Sequence, residues 1–258
     1  MNMQKKILKG IYLIVLILLT LRVSSANNPI DIIDAASKGK LDVVKSALSA
    51  GVDINTRDKF HDLTAIAWAS ACGKIEVVKF LIEKGADVNS TSKYLWTPLL
   101  LACYYNRVDI LNLLIARGAD IHARASDGTN GLINASYFGY INVIKILLDN
   151  RININVQGND GYTALINACI WLYMDSKFAE IAKMLLAKGA DVNIVSKDGF
   201  TALMMASCHR YGDMVKILIE HGAQVNVKTY KGRTALKLAI AREHTRIIKI
   251  LKEAGAIE

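Results

Sequence analysis

A period of 33 residues runs along this chain and restricts what it can fold into. Leu63-Thr64-Ala65-Ile66, Trp96-Thr97-Pro98-Leu99, Tyr162-Thr163-Ala164-Leu165, Phe200-Thr201-Ala202-Leu203 and Arg233-Thr234-Ala235-Leu236 are versions of one segment. Thr64 and Thr97 lie 33 apart, the next step of 33 reaches Asn130, and the next reaches Thr163. Thr201 follows after 38 and Thr234 after 33. Each anchor is followed five residues later by an alanine: Ala69, Ala102, Ala135, Ala168, Ala206 and Ala239. Self-similarity at such a period marks a stack of small supersecondary units. One unit cannot bury its own apolar faces, so its neighbours supply the core.

The second half of each unit repeats too. Gly85-Ala86-Asp87-Val88-Asn89, Gly118-Ala119-Asp120-Ile121-His122, Gly189-Ala190-Asp191-Val192-Asn193 and Gly222-Ala223-Gln224-Val225-Asn226 share one pattern, with an earlier copy at Gly51-Val52-Asp53-Ile54-Asn55. Arg151 replaces the glycine once, and Gly255-Ala256 closes the series. Before these glycines, apolar residues fall at helical spacing, as in Ile75, Val77, Val78, Leu81 and Ile82, while Lys79 and Glu83 fall on the other face. A glycine in that place suits a left-handed helix cap. The anchor-plus-five alanines let two short helices approach. Asp127-Gly128, Asp160-Gly161 and Asp198-Gly199 suit a tight turn at the tip of a finger.

This pattern resembles the ankyrin repeat, from about Asn28 to Glu258. The resemblance implies an all-α solenoid of stacked helix-turn-helix units with short β-hairpin loops. The expected organisation is an ankyrin-repeat domain over 27–258, with seven repeats at approximately 27–57, 58–90, 91–123, 124–156, 157–194, 195–227 and 228–258. The family motif Thr-Pro-Leu-His places a histidine where this chain has Ala67, Leu100, Ile133, Ile166, Met204 and Lys237, so the polar network built on that histidine is expected to be missing. The last helix pair is polar, with Arg242, Glu243, His244, Arg246, Lys249, Lys252 and Glu253, as a terminal cap requires. The first unit has no anchor threonine and is expected to be a degenerate cap. Extra residues are expected in two loops: one at Asp58 to Leu63, and five around Trp171 to Lys177.

Residues 1–26 read as a secretory signal peptide. Lys5, Lys6 and Lys9 precede a run from Ile11 to Leu21 that is aliphatic except for Tyr12 and Thr20, and Ser24 and Ala26 stand at signal-peptidase spacing. The run has 11 residues, short of the roughly 20 that span a bilayer. The expected location is therefore exported, periplasmic or secreted. The alternative is an uncleaved segment that tethers a structural or assembly factor to the membrane. Without residues 1–26 the net charge falls from +9 to +5, and the basic residues are dispersed. No nucleic-acid surface is expected.

No chemistry-bearing constellation stands out. His61, His122, His209, His221 and His244 occupy different positions of different units, with no zinc or triad spacing. Cys208 and His209 are adjacent, and neighbours on a helix diverge. No catalytic residue, metal or cofactor is expected. Exported cysteines often pair. Here Cys72 with Cys103, or Cys169 with Cys208, are the adjacent-unit candidates, and free buried thiols are the favoured expectation.

The resemblance implies binding of a partner through a concave face made of finger tips and first helices. At those positions stand Phe60, Tyr94, Trp96, Tyr104, Tyr105, Tyr137, Phe138, Tyr162, Trp171, Phe200 and Tyr230. Tyrosine and tryptophan dominate binding hot spots because they bury large areas at low entropic cost. The expected partner is another protein, bound by a monomer of this chain, or a host protein if the chain is a secreted effector.

Overall fold

The computed structural model describes residues 31–170, 176–209 and 211–257. The N-terminal signal assignment, Trp171 and most of the five-residue insertion lie outside the described residues. Within them, helices alternate in two rows. The first row comprises Ile32–Lys38, Ala65–Cys72, Pro98–Tyr104, Gly131–Phe138, Ala164–Ala168, Ala202–Cys208 and Ala235–Ile240. The second comprises Leu41–Ser49, Ile75–Glu83, Val108–Ala116, Ile141–Asp149, Ser176–Ala187, Gly212–Glu220 and Thr245–Glu253. The fold is all-α, a stack of helix-turn-helix units.

The anchors start the first helices. Thr97, Thr163, Thr201 and Thr234 each accept a hydrogen bond from the backbone N–H three residues on, at 3.2 Å. Asn130 does the same through Oδ1 at 2.9 Å. These side chains satisfy donors that a helix start leaves orphaned. The first unit is not degenerate: Asp31 caps Ile32–Lys38 by accepting from Ile33 and Asp34. It lies one period before Thr64, and Ala36, five residues on, is fully buried. A carboxylate serves here in place of the threonine hydroxyl.

All the anchor-plus-five alanines are fully buried. Because they are small, first helices pack more intimately on one another than second helices do, most loosely where the short Ala164–Ala168 meets Ala202–Cys208. The first row and the fingers make up the face that the resemblance to ankyrin repeats puts on the concave side, the inner face. Behind it runs a column of fully buried leucines, Leu81, Leu114, Leu147, Leu185, Leu218 and Leu251, one from each second helix after the first unit.

The expected β-hairpins are turns instead. Among the described residues the only bridge pairs Arg57 with Thr64. Each finger is too short for a ladder and is closed at its tip, as where Ser196 N–H donates to Phe200 O and Gly199 N–H to Ser196 O, both at 2.8 Å. Single bonds then join neighbouring fingers, such as Asn159 N–H to Asp127 O at 2.7 Å and Lys197 N–H to Asp160 O at 3.0 Å.

A polar network does link the units, at a different place from the one expected to be empty. Asn55, Asn89, Asn155, Asn193 and Asn226 each accept through Oδ1 from a backbone N–H of the following unit, at Asp87, Asp120, Asp191, Gln224 and Ile257. Four of them also donate through Nδ2 to the carbonyl of Gly118, Gly189, Gly222 or Gly255. His122 stands at this position in its unit and is the break in the ladder.

Candidate functional site

The inner face is built from four positions of each unit: the residue before the anchor and those four, seven and eight after it. From the second unit to the sixth, none of these positions carries a formally charged residue. Over the third and fourth units five of these eight positions are aromatic, and the rings meet edge to face. Trp96 lies 5.3 Å from Tyr104, Tyr104 lies 5.1 Å from Tyr105 and 4.9 Å from Phe138, and Tyr137 lies 5.1 Å from Phe138. Tyr140, which the repeat positions did not single out, stacks on Phe138 at 5.4 Å. Its place at the start of a second helix hid it, although its ring reaches back over the turn.

Tyr104 is buried, whereas Trp96, Tyr105, Tyr137, Phe138 and Tyr140 are half-buried. Trp96 and Tyr105 also pack on a small apolar cluster of Leu63, Ala67, Trp68, Ala71 and Leu101. They are therefore structural as well as candidate contacts. Desolvation pushes the Tyr104 hydroxyl up to about 12 and raises Tyr105, Tyr137 and Tyr140 as well, so all four rings stay neutral donors. Tyr105 Oη, Asn134 Nδ2 and Ser136 Oγ are buried without a hydrogen-bond partner among the described residues.

The remaining sequence candidates sit elsewhere. Tyr162 is half-buried in the fifth unit, and burial raises its hydroxyl to about 12. Phe200 is half-buried under the Arg233 guanidinium, 5.3 Å from the ring centre. Phe60, Tyr94 and Tyr230 are exposed on finger tips, at 69%, 50% and 79%. Of the eleven candidates, five form the inner-face cluster, Tyr162 and Phe200 stand singly in later units, three protrude on finger tips, and Trp171 is outside the described residues.

A second construction lies at the edge of this face. Asp58 accepts from the backbone N–H groups of Phe60, His61 and Leu63 and from Trp68 Nε1, at 2.7–2.9 Å. Burial raises its pKa, but the His61 ring, with Nδ1 3.4 Å away, and these hydrogen bonds outweigh burial and hold the carboxyl well below the usual range. The one-residue insertion forms the loop that wraps this carboxylate. Its period irregularity was visible in the sequence, whereas the ligation was not.

All four cysteines are free. Cys103 and Cys169 are fully buried, and desolvation pushes the Cys169 thiol up to about 12 and Cys103 higher. His209, beside Cys208, is buried, and desolvation, Arg242 and His244 lower its pKa. Among the described residues, no group of three His, Cys, Asp or Glu side chains is placed to hold a metal ion. Nor is any helix among them long and apolar enough to cross a membrane.

The family model for ankyrin repeats matches in three copies, over residues 32–125, 118–196 and 170–257. No curated protein matches the chain. Among solved structures, the human ASB11 ankyrin repeat domain is similar at 25% identity and a TM-score of 0.75, covering 90% of this chain and all of that one. Ankyrin repeats are generally protein–protein interaction modules and non-catalytic scaffolds, and no enzyme family matches. With repeats matched over almost all of its described length, this chain belongs to the ankyrin-repeat family.

Proposed function

We propose that the chain binds another protein through the uncharged aromatic stretch of its inner face, and that it does so outside the cytoplasm, in a periplasm or as a secreted protein. The observation that carries the reading is the contiguous edge-to-face cluster of Trp96, Tyr104, Tyr105, Tyr137 and Phe138, at repeat positions that hold no formally charged residue from the second unit to the sixth. Half-buried rings over rigid helices bury much area on contact and lose little entropy. Export is supported by the basic start, the apolar run Ile11 to Leu21 and the small residues Ser24 and Ala26. No cofactor enters this reading.

The test is affinity capture from the extracytoplasmic fraction, comparing the wild-type chain with Tyr137→Ala and Lys79→Ala. Tyr137 is half-buried against Phe138 and, unlike Trp96 and Tyr105, is not one of the rings packed on the small apolar cluster around Trp68. Lys79 is exposed on a second helix, away from the inner face. A protein retained by wild type and Lys79→Ala but lost by a folded Tyr137→Ala supports the site. Equal retention by all three places the binding surface elsewhere. Mature protein that still carries Lys5 and Lys6 would replace export by membrane tethering.

A further inference from the structure

We propose that the tips of the second and third fingers form an edge that inserts into an anionic bilayer surface. Phe60, Tyr94 and Leu95 are 69%, 50% and 49% exposed, and they occupy two adjacent tips joined by the bond from Lys93 N–H to His61 O. The other exposed large apolar residues among those described are Val43, Val195, Tyr230, Ile240 and Ile257, each in a different element.

Leu95 is the informative residue. It holds a left-handed backbone, with φ at 60°, where four later fingers use Gly128, Gly161, Gly199 and Gly232. A leucine there carries a cost that glycine avoids, yet its side chain is half in solvent and supports no core. Strain held at an exposed residue is a reason to look for a ligand.

Charge selects the kind of ligand. Asp58 is enclosed by four neutral donors and keeps its charge, Asp62 pairs with Arg57 at 3.1 Å, and Arg57, Lys59 and Lys93 against Asp58 and Asp62 leave one net positive charge on the two tips. The cations left on these two tips are Lys59 and Lys93, both exposed, with Lys93 Nζ 5.0 Å over the Tyr94 ring. At the next three tips an acidic residue, Asp127, Asp160 or Asp198, precedes the glycine; the last tip, with Tyr230 and Lys231, is apolar and basic again but stands apart from these two adjacent ones. Protruding apolar tips suit a fluid phase that closes around them, whereas a protein partner would need preformed pockets. Aromatic rings at headgroup depth with lysines beside phosphate is the chemistry of an interfacial anchor.

The full chain carries its own apolar N-terminal run, so bulk retention on vesicles would not report on the tips. The readout is local: hydrogen exchange of residues 58–62 and 93–96 in the full chain, with phosphatidylcholine vesicles or with vesicles containing phosphatidylglycerol. The expected result is exchange slowed about threefold or more on the anionic vesicles alone, with the slowing lost in Phe60→Ala and in Leu95→Gly. Because glycine relieves the backbone, Leu95→Gly should lose this protection without a lower unfolding midpoint. Unslowed tips on anionic vesicles overturn the proposal, as does equal slowing on neutral ones. Slowing by a captured protein and not by vesicles assigns the tips to protein binding and also overturns it.

Discussion

Asn193 spans a junction between units: its Oδ1 accepts from Gln224 N–H at 2.9 Å while its Nδ2 donates to Gly222 O at 3.1 Å. One amide thus satisfies two backbone groups of the next unit, at the turn after that unit's second helix. Replacing Asn193 by alanine should lower stability by about 1–2 kcal/mol, since each partly exposed bond contributes about 0.5–1.5 kcal/mol net. The converse change lies at the break. His122→Asn places the same amide opposite the fourth unit's turn and should stabilise by up to about 1 kcal/mol. Urea midpoints of both variants check this. An unchanged midpoint for Asn193→Ala would make the ladder an ornament of the turn rather than a tie.

Much of this was legible in the sequence. The anchors, the alanines and the glycine turns fix local structure through side-chain size and backbone conformation, so a period of 33 names them directly. The ladder asparagines recur in the same period, but their role needs a partner 29 to 36 residues away, and spacing does not say which atoms meet. Asp31 does not stand out in the sequence, because the cap needs only an acceptor at the right place and the repeat pattern is carried by threonine. The aromatic candidates among the described residues lie on fingers and at first helices, as their place in the repeat implies. Sequence could not tell a ring on a protruding tip, such as Phe60, from one locked against three others, such as Phe138.

Arg151 occupies the turn where other units have glycine, and its φ is 59°. A left-handed conformation costs a side-chain-bearing residue about 1–2 kcal/mol, part of which glycine returns as unfolded-state entropy. Arg151→Gly should therefore raise stability by about 0.5–1 kcal/mol, read as a higher midpoint in thermal or urea unfolding. No gain would mean that the arginine side chain makes a compensating contribution.

Asp58 makes stability depend on acid. Its folded pKa lies well below the usual carboxylate range, so its contribution is present above the unfolded pKa of about 3.9 and is lost as pH falls below it. Asp58→Asn should be less stable than wild type at pH 7, because at most one of its terminal atoms accepts from N–H groups that the carboxylate served with two. The deficit should shrink as the pH is lowered from about 5 toward 2, where the wild-type carboxylate begins to bind its proton. Parallel urea titrations across that window measure it. A deficit constant with pH would assign the loop's stability to packing around Trp68 instead.

Gly131 follows its anchor, where four other units have alanine and one has Pro98. A Cβ at Gly131 would lie 2.8 Å from Cys103 Sγ and 3.4 Å from Leu147 Cδ1. Cys103 is fully buried, so its sulfur has little room to yield. Gly131→Ala alone should destabilise by about 1–3 kcal/mol through overpacking. Cys103→Ala alone should also destabilise, by opening a small cavity. The double variant removes the sulfur that the added methyl group would meet at 2.8 Å, so its loss should be smaller than the sum of the two single losses. A double-mutant cycle on unfolding free energies reads this coupling directly. Strict additivity would show that Gly131 is held by its backbone and not by the thiol packed against it.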